Sequence, residues 1–273
     1  MRHSSPYDIR IKMKIKAILY RLYLLPLIIL FTVVLHLFSF GQNPDSIFTM
    51  ANEAYRNGNF SEAATLYSKV LKENPASAAL YFNLGNCFYK LQKPGHAILN
   101  YERALKEEPM HRDARFNLTL VNSQIRDNIP VPRRLFLIQW WEYGSSLLPV
   151  SWWMVIHMLF FLLALVSVAF FLLKKGNRTK QTWFRTAVTA LVVSLLILGL
   201  GLQRHYDTRI VKHAIVLSDA TTLMSGPGEG SSVLTEFHEG TKLKVNRIEK
   251  GWYEIETPDG HKGWIPAGDA EII

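Results

Sequence analysis

The chain has 273 residues, 49% of them hydrophobic, and a formal net charge of +9, a length that fits two or three small units but not a large enzyme with accessory modules. The positive excess lies mainly in 1–41 and 135–202, beside the apolar runs, with a smaller excess in 42–134, whereas 203–273 is net acidic. Basic residues placed this way orient membrane segments and argue against nucleic acid as a partner.

Residues 1–41 read as a signal peptide or an N-terminal anchor. Arg10, Lys12, Lys14, Lys16 and Arg21 form a basic region, and 22–38 is apolar. Ser39-Phe40-Gly41 then places small residues at the two positions a cleavage site needs before Gln42. The apolar stretch also has the length of an uncleaved anchor. In both cases the basic end stays in the cytoplasm and the chain from Gln42 onward leaves it. Met13 is an alternative start.

Residues 44–127 read as one helical unit, within which 44–111 contain a two-fold repeat with a period of 34: Ala63 recurs as Ala97, Tyr67 as Tyr101, Pro75 as Pro109 and Ala51 as Gly85. This resembles the tetratricopeptide repeat (TPR), whose paired helices cross closely enough to need small residues at the contact. Tyr67 and Tyr101 are expected to fill the space between hairpins, and Pro75 and Pro109 to stop the second helix of each. Asn57-Gly58-Asn59 makes the first turn; Gln92-Lys93-Pro94-Gly95 takes that place in the second. Residues 113–127 are expected to form a closing helix. Cys87, the one cysteine, sits between Leu84 and Phe88 on an apolar helix face, which predicts a buried, inert thiol. A lone cysteine also excludes an intrachain disulfide.

TPR hairpins make a concave face lined by their first helices. Here it is expected to show Asn52, Tyr55 and Arg56, then Asn83, Asn86, Tyr89 and Lys90, with Asn117 from the closing helix. An asparagine donates and accepts at once, which suits capture of an extended peptide backbone. The alternative is that these residues are repeat consensus without a ligand. Asn52 and Asn83 match the asparagines of the TPR subfamily that clamps carboxylates. Phe48, Asp113 and Asn117 stand at its basic positions, which departs from that pattern.

Residues 128–151 read as a linker with an interfacial segment, 135–143, lying along a membrane surface. Residues 152–173 carry no charge, and as a helix span about 33 Å against about 30 Å of hydrocarbon. Residues 186–203 are a second uncharged run. Between the two transmembrane helices, 174–185 is a basic loop, hence cytoplasmic. Residues 42–151 and 204–273 then share the outer face. Trp140, Trp141, Trp152 and Trp153 flank the first span and suit the headgroup region; the alternative is core packing.

From 211 to 273 the pattern turns to short alternating runs at 214–217, 241–245, 252–255 and 263–265, separated by glycine-rich turns. Leu223-Met224-Ser225-Gly226-Pro227-Gly228, Gly251-Trp252-Tyr253 and Gly260-His261-Lys262-Gly263-Trp264-Ile265 resemble the bacterial SH3 domain, a small all-β barrel. Trp252 and Trp264 are its candidate ligand contacts, or else pack the barrel.

The fold class expected is multidomain: α-helical TPR hairpins, two transmembrane helices and a C-terminal SH3-like barrel. The order of these parts resembles the BatE-type proteins of the Bacteroides aerotolerance (Bat) operon. That resemblance implies a multi-pass protein of the bacterial inner membrane with both modules in the periplasm. It also implies partners among membrane proteins, von Willebrand A-domain Bat proteins included, and indirectly a MoxR-type ATPase. Two readings stay open. One is a scaffold holding protein partners, in aerotolerance or envelope stress. The other is a sensor whose barrel binds peptidoglycan. No enzyme activity, cofactor or metal is expected: the chain has no phosphate-binding glycine loop, no HExxH and no GxSxG.

Overall fold

The computed structural model describes residues 46–73, 77–127, 129, 135–174, 176–228 and 230–273. The signal or anchor assigned to 1–41, the helix stop at Pro75 and Lys175 of the basic loop lie outside the described residues. The chain divides into two compact units, and the second, Ile47–Ile273, holds all that follows apart from Ser46.

Five helices form the repeat region: α1 (Ser46–Arg56), α2 (Phe60–Glu73), α3 (Ala78–Lys90), α4 (Pro94–Glu107) and α5 (Arg112–Asn122). Ser77 caps α3 by accepting from the Leu80 amide, and Pro94 opens α4 where its missing N–H costs nothing. Ala51, Ala54, Ala63 and Ala64 let the first helices approach, and Tyr67 fills the gap behind them. Gly85 is needed for the same approach in the second hairpin: a Cβ there would lie 2.7 Å from the Tyr101 ring. In the first turn Gly58 takes φ +81°; at the matching place in the second, Gln92 takes φ +57°. The departure noted in sequence is thus absorbed by a left-handed glutamine.

The closing helix is shorter than expected. It ends at Asn122, and Ile125 and Asp127 leave the helical path to contact the barrel.

Two further helices, α7 (Val150–Leu173) and α8 (Asn177–His205), are long and apolar enough to cross a membrane. They pack through small residues, with Ala164, Ser167, Ala187, Ala190, Ser194 and Gly201 buried between them. His157 joins them by hydrogen bonds to the Ser194 hydroxyl (2.9 Å) and carbonyl (3.0 Å). Leu165, Val168, Leu195 and Leu196 are exposed, so protein leaves this apolar surface uncovered. The basic segment between them is not a loop throughout. The helix resumes at Asn177, because Arg178, Lys180 and Gln181 are good helix formers that can continue it into water.

Before α7, α6 (Phe136–Ser146) packs against α8, with Trp141 beside Gly199 and Leu200 beside Gly144. Its Leu135, Phe136, Leu137, Trp140 and Tyr143 flank is exposed. Trp153 departs from the interfacial expectation. It is buried and donates from Nε1 to the Ser145 carbonyl at 3.0 Å, pinning α6 to α7.

After α8 a π-helical turn, Tyr206–Ile210, leads into β1 (Lys212–Val216), β2 (Ala220–Met224), β3 (Val233–His238), β4 (Lys242–Glu249), β5 (Trp252–Glu256), β6 (Lys262–Pro266) and β7 (Ala270–Ile272). All pairings are antiparallel, in the order β3-β2-β6-β5-β4-β1-β7. Ala214, Val216, Leu223, Phe237, Leu243, Ile255 and Ile265 fill the interior. The sequence pattern had not separated β2, β3 and β7. These strands are short, and β3 keeps four successive residues exposed, so its alternation is weak.

Candidate partner-binding surfaces

The asparagines assigned to the concave face are engaged with the repeat tyrosines. The Tyr67 hydroxyl donates to Asn52 Oδ1 at 2.6 Å, and the Tyr101 hydroxyl to Asn86 Oδ1 at 2.7 Å. Asn83 also acts on the Tyr67 hydroxyl, working to lower its phenol against burial. Asn117 Nδ2 donates to Asn86 Oδ1 at 2.9 Å and reaches the Tyr101 hydroxyl at 3.4 Å. Each repeat tyrosine is thus held by the asparagine 15 positions before it, and the pattern repeats along the array. Burial first, then the neighbouring Cys87 and Tyr55, push the Tyr67 phenol up to about 12. These phenols stay protonated and keep donating. Asn52 and Asn86 spend carbonyl oxygens on this network but keep their amide donors.

Tyr55 is half-buried, edge-on to Phe60 at 5.2 Å, and Tyr89 packs beside the second hairpin's core. Arg56 and Lys90 are exposed. Cys87 is fully buried, and burial pushes its thiol up to about 12, as an inert core thiol requires.

On the barrel, Trp264 is only 9% exposed and the Arg247 guanidinium covers its ring at 5.5 Å. It packs the sheet, opposite Met224 and Glu254. Trp252 is half-buried at the start of β5, opposite Glu249 and Pro266.

A contact that sequence reasoning missed joins the two modules. β1 turns Ala214 and Val216 into the barrel, while Ile215 lies in the helical core with Ala97, Ile98, Leu99 and Val121. Around this seam, Glu239 accepts from the Gly95 amide at 2.9 Å and Lys242 pairs with Glu102 at 2.7 Å. Arg103 reaches Glu271 (2.7 Å) and the Ile272 carbonyl (2.8 Å), and Lys106 the Ile273 main-chain oxygen (2.9 Å). Gly240, at φ +92°, lies so close to Ile125 that a Cβ would meet it at 2.7 Å. Ile129 reaches the barrel's own core. A signal was present in sequence. The period aligns Ile98 and Leu99 with Ala64 and Thr65, so large apolar residues stand where the first repeat has small or polar ones.

The seam extends to α8. Arg204 Nη2 approaches the carbonyls of Leu105 and Lys106 at 3.4 Å, where a cation complements the C-terminal end of α4. A cleft of about 180 Å³ lies at this meeting point, lined in part by Lys106, Arg204, Asp207, His213 and Lys242. Burial first, then the Lys242 charge, push His213 down to about 4, so it is neutral near pH 7.

Comparison with known proteins agrees with these two modules. Residues 48–99 match the tetratricopeptide repeat, and residues 219–271 match the bacterial SH3 domain. The TPR segment is similar to the inactive TPR repeat-containing thioredoxin TTL3 of Arabidopsis thaliana, with 32% identity over 74 residues. It is also similar to tetratricopeptide repeat protein 16 of Homo sapiens and of Macaca fascicularis, with 29% identity over 75 residues in each. These matches cover 27% and 28% of this chain, and 11% and 9% of the relatives. The likeness is to the repeat alone. The chain is a multidomain protein of TPR hairpins, two long apolar helices and an SH3-like barrel, built from two domain types associated with protein binding.

Proposed function

We propose that the chain is a membrane-anchored scaffold whose TPR and SH3-like modules hold protein partners outside the cytoplasm. The observation that carries this reading is the continuous seam from α4 through the barrel to Arg204. A partner held by either module would be held at a set orientation to helices able to span a membrane. In this reading the α6 apolar flank lies in the outer interface, and the positive segment around Lys174, Arg178 and Lys180 lies inside. The Bat resemblance supplies the partner class: other membrane proteins, including those with von Willebrand A domains, with a MoxR-type ATPase coupled only indirectly. Arg56, Lys90 and the amide donors of Asn52 and Asn86 form the peptide-capturing face, with Tyr55 and Tyr89 beside them.

The bacterial SH3 match favours a second reading, retention on peptidoglycan through the barrel with Trp252 as a contact. Photocrosslinkers placed at Arg56 and Lys90 of the full chain in native membranes separate the two. Crosslinks to membrane proteins, lost in R56E/K90E, are the expected result. Sedimentation of the chain with peptidoglycan, with no protein crosslinked, would replace the scaffold by the sensor.

A further inference from the structure

The 34-residue period relates α4 to α2, and α4 already shows how its outer face grips a partner. Arg103 and Lys106 take Glu271 and main-chain oxygens of the strand that ends at Ile273, while Ile98 and Leu99 supply the apolar contact. One period earlier Lys69 stands for Arg103 and Lys72 for Lys106. Ser61 stands for Gly95, and Ser68 for Glu102. Ala64 and Thr65 replace Ile98 and Leu99, so a ridge becomes a hollow.

Those six α2 residues line one cleft of about 420 Å³, closed on its other side by Phe88, Leu91 and Lys93. Its floor is apolar, from Ala64, Phe88 and Leu91. Its rim carries the ammonium groups of Lys69, Lys72 and Lys93, all exposed. Among the described residues no acidic side chain lines the cleft, and none of the three lysines has an ion pair. On α4 the acidic Glu102 is answered by a barrel lysine; on α2 a serine takes its place, so the charge demanded of an occupant is negative only.

We propose that this cleft is a docking site, separate from the concave face, for an extended acidic segment of a protein partner that inserts an aliphatic side chain between carboxylates. The occupant's chemistry is that of the chain's own Glu271-Ile272-Ile273 on α4, with the aliphatic residue now supplied by the partner to fill the hollow over Ala64. The three lysines take its carboxylates and main-chain oxygens.

The test uses the full chain in neutral detergent and, as probe, a fluorescein-labelled peptide Gly-Asp-Ala-Glu-Ile-Ile, the sequence of residues 268–273. The α4 surface is occupied in cis, and the K69E/K72E variant assigns the probe to the α2 cleft rather than to the concave face. Saturable binding by anisotropy is expected, weaker at high salt. It should fall about tenfold or more in K69E/K72E, two exposed pairs being lost and repulsion gained. R112E/K262E, an equal charge change at exposed residues outside both the cleft and the concave face, should bind as the native chain does. Exposed lysines can be reversed without unfolding, which an unchanged thermal melt verifies. No saturable binding, unchanged binding in K69E/K72E, or a loss confined to R103A would overturn the proposal. Equal binding of the same peptide with Asn and Gln in place of its Asp and Glu would do the same.

Discussion

Asp127 holds His238 twice: Oδ2 accepts from its main-chain N–H at 2.6 Å, and Oδ1 pairs with the imidazole Nδ1 at 2.8 Å. Oδ2 also accepts from the Thr241 hydroxyl at 2.7 Å. One carboxylate just beyond α5 thus fastens the β3–β4 turn of the barrel to the helical array. With Ile125 against Gly240, it closes the end of the seam opposite to Arg103 and Lys106.

Burial works to raise the Asp127 carboxyl, but the bonds from Thr241 and His238, with the His238 charge, outweigh it and hold the group below its ordinary value. A depressed carboxyl stabilises the fold above its unfolded value near 4 and loses that contribution as pH falls through the folded value. Asp127→Ala should therefore cost about 1–3 kcal/mol near pH 7, by leaving buried donors without an acceptor. It should speed amide exchange at His238 and Thr241, and the cost should shrink in strong acid. Denaturant melts and hydrogen exchange of the full chain check both.

His213 adds a second acid-sensitive point, in a different window. Its folded value of about 4 lies below the ordinary 6.5, so from pH 6.5 down to 4 the unfolded chain binds the extra proton and stability declines. The groups around it are Lys242, Glu102, Lys244 and Lys106. His213→Gln should flatten the stability profile between those two pH values while leaving the decline below 4 that Asp127 produces. Thermal melts across the range separate the two.

Gln92 is held at φ +57°, where a side chain costs about 1 kcal/mol. Gln92→Gly should raise stability by up to about 1 kcal/mol, less what glycine loses in chain entropy. Gly58→Gln, the mirror change in the first hairpin, should lower it. Urea melts of the two variants are expected to move in opposite directions.

The proposed membrane orientation makes a prediction independent of the seam. A reporter fused after Lys175 should behave as cytoplasmic and one after Ile273 as periplasmic. Activity of the reverse pair would overturn the topology while leaving the folds of both modules as described.

Much of this architecture was legible in the chain. A 34-residue spacing of Ala63 with Ala97 and Tyr67 with Tyr101 reports helix crossings, because a small residue and a filler are needed wherever two helices meet. Uncharged runs at 152–173 and 186–203 report helices able to span a membrane, because hydrocarbon excludes charge over a set length. Cys87 could be placed in a core from its neighbours alone. These are local rules, and a local pattern suffices to state them.

What the tertiary structure decided was how those parts use one another. Asn52, Asn86 and Asn117 read in sequence as ligand donors, and the structure adds that they also engage the repeat tyrosine network, because a hydrogen-bond partner is chosen by distance in space. Trp153 reads as an interfacial residue and is buried under α6, because the chain doubles back on itself there. Asp127 and His238 lie 111 positions apart, and no periodicity relates them. The seam that joins the modules rests on Ile215 pointing away from its own barrel, and only the packing of the barrel on α4 assigns that face to a core.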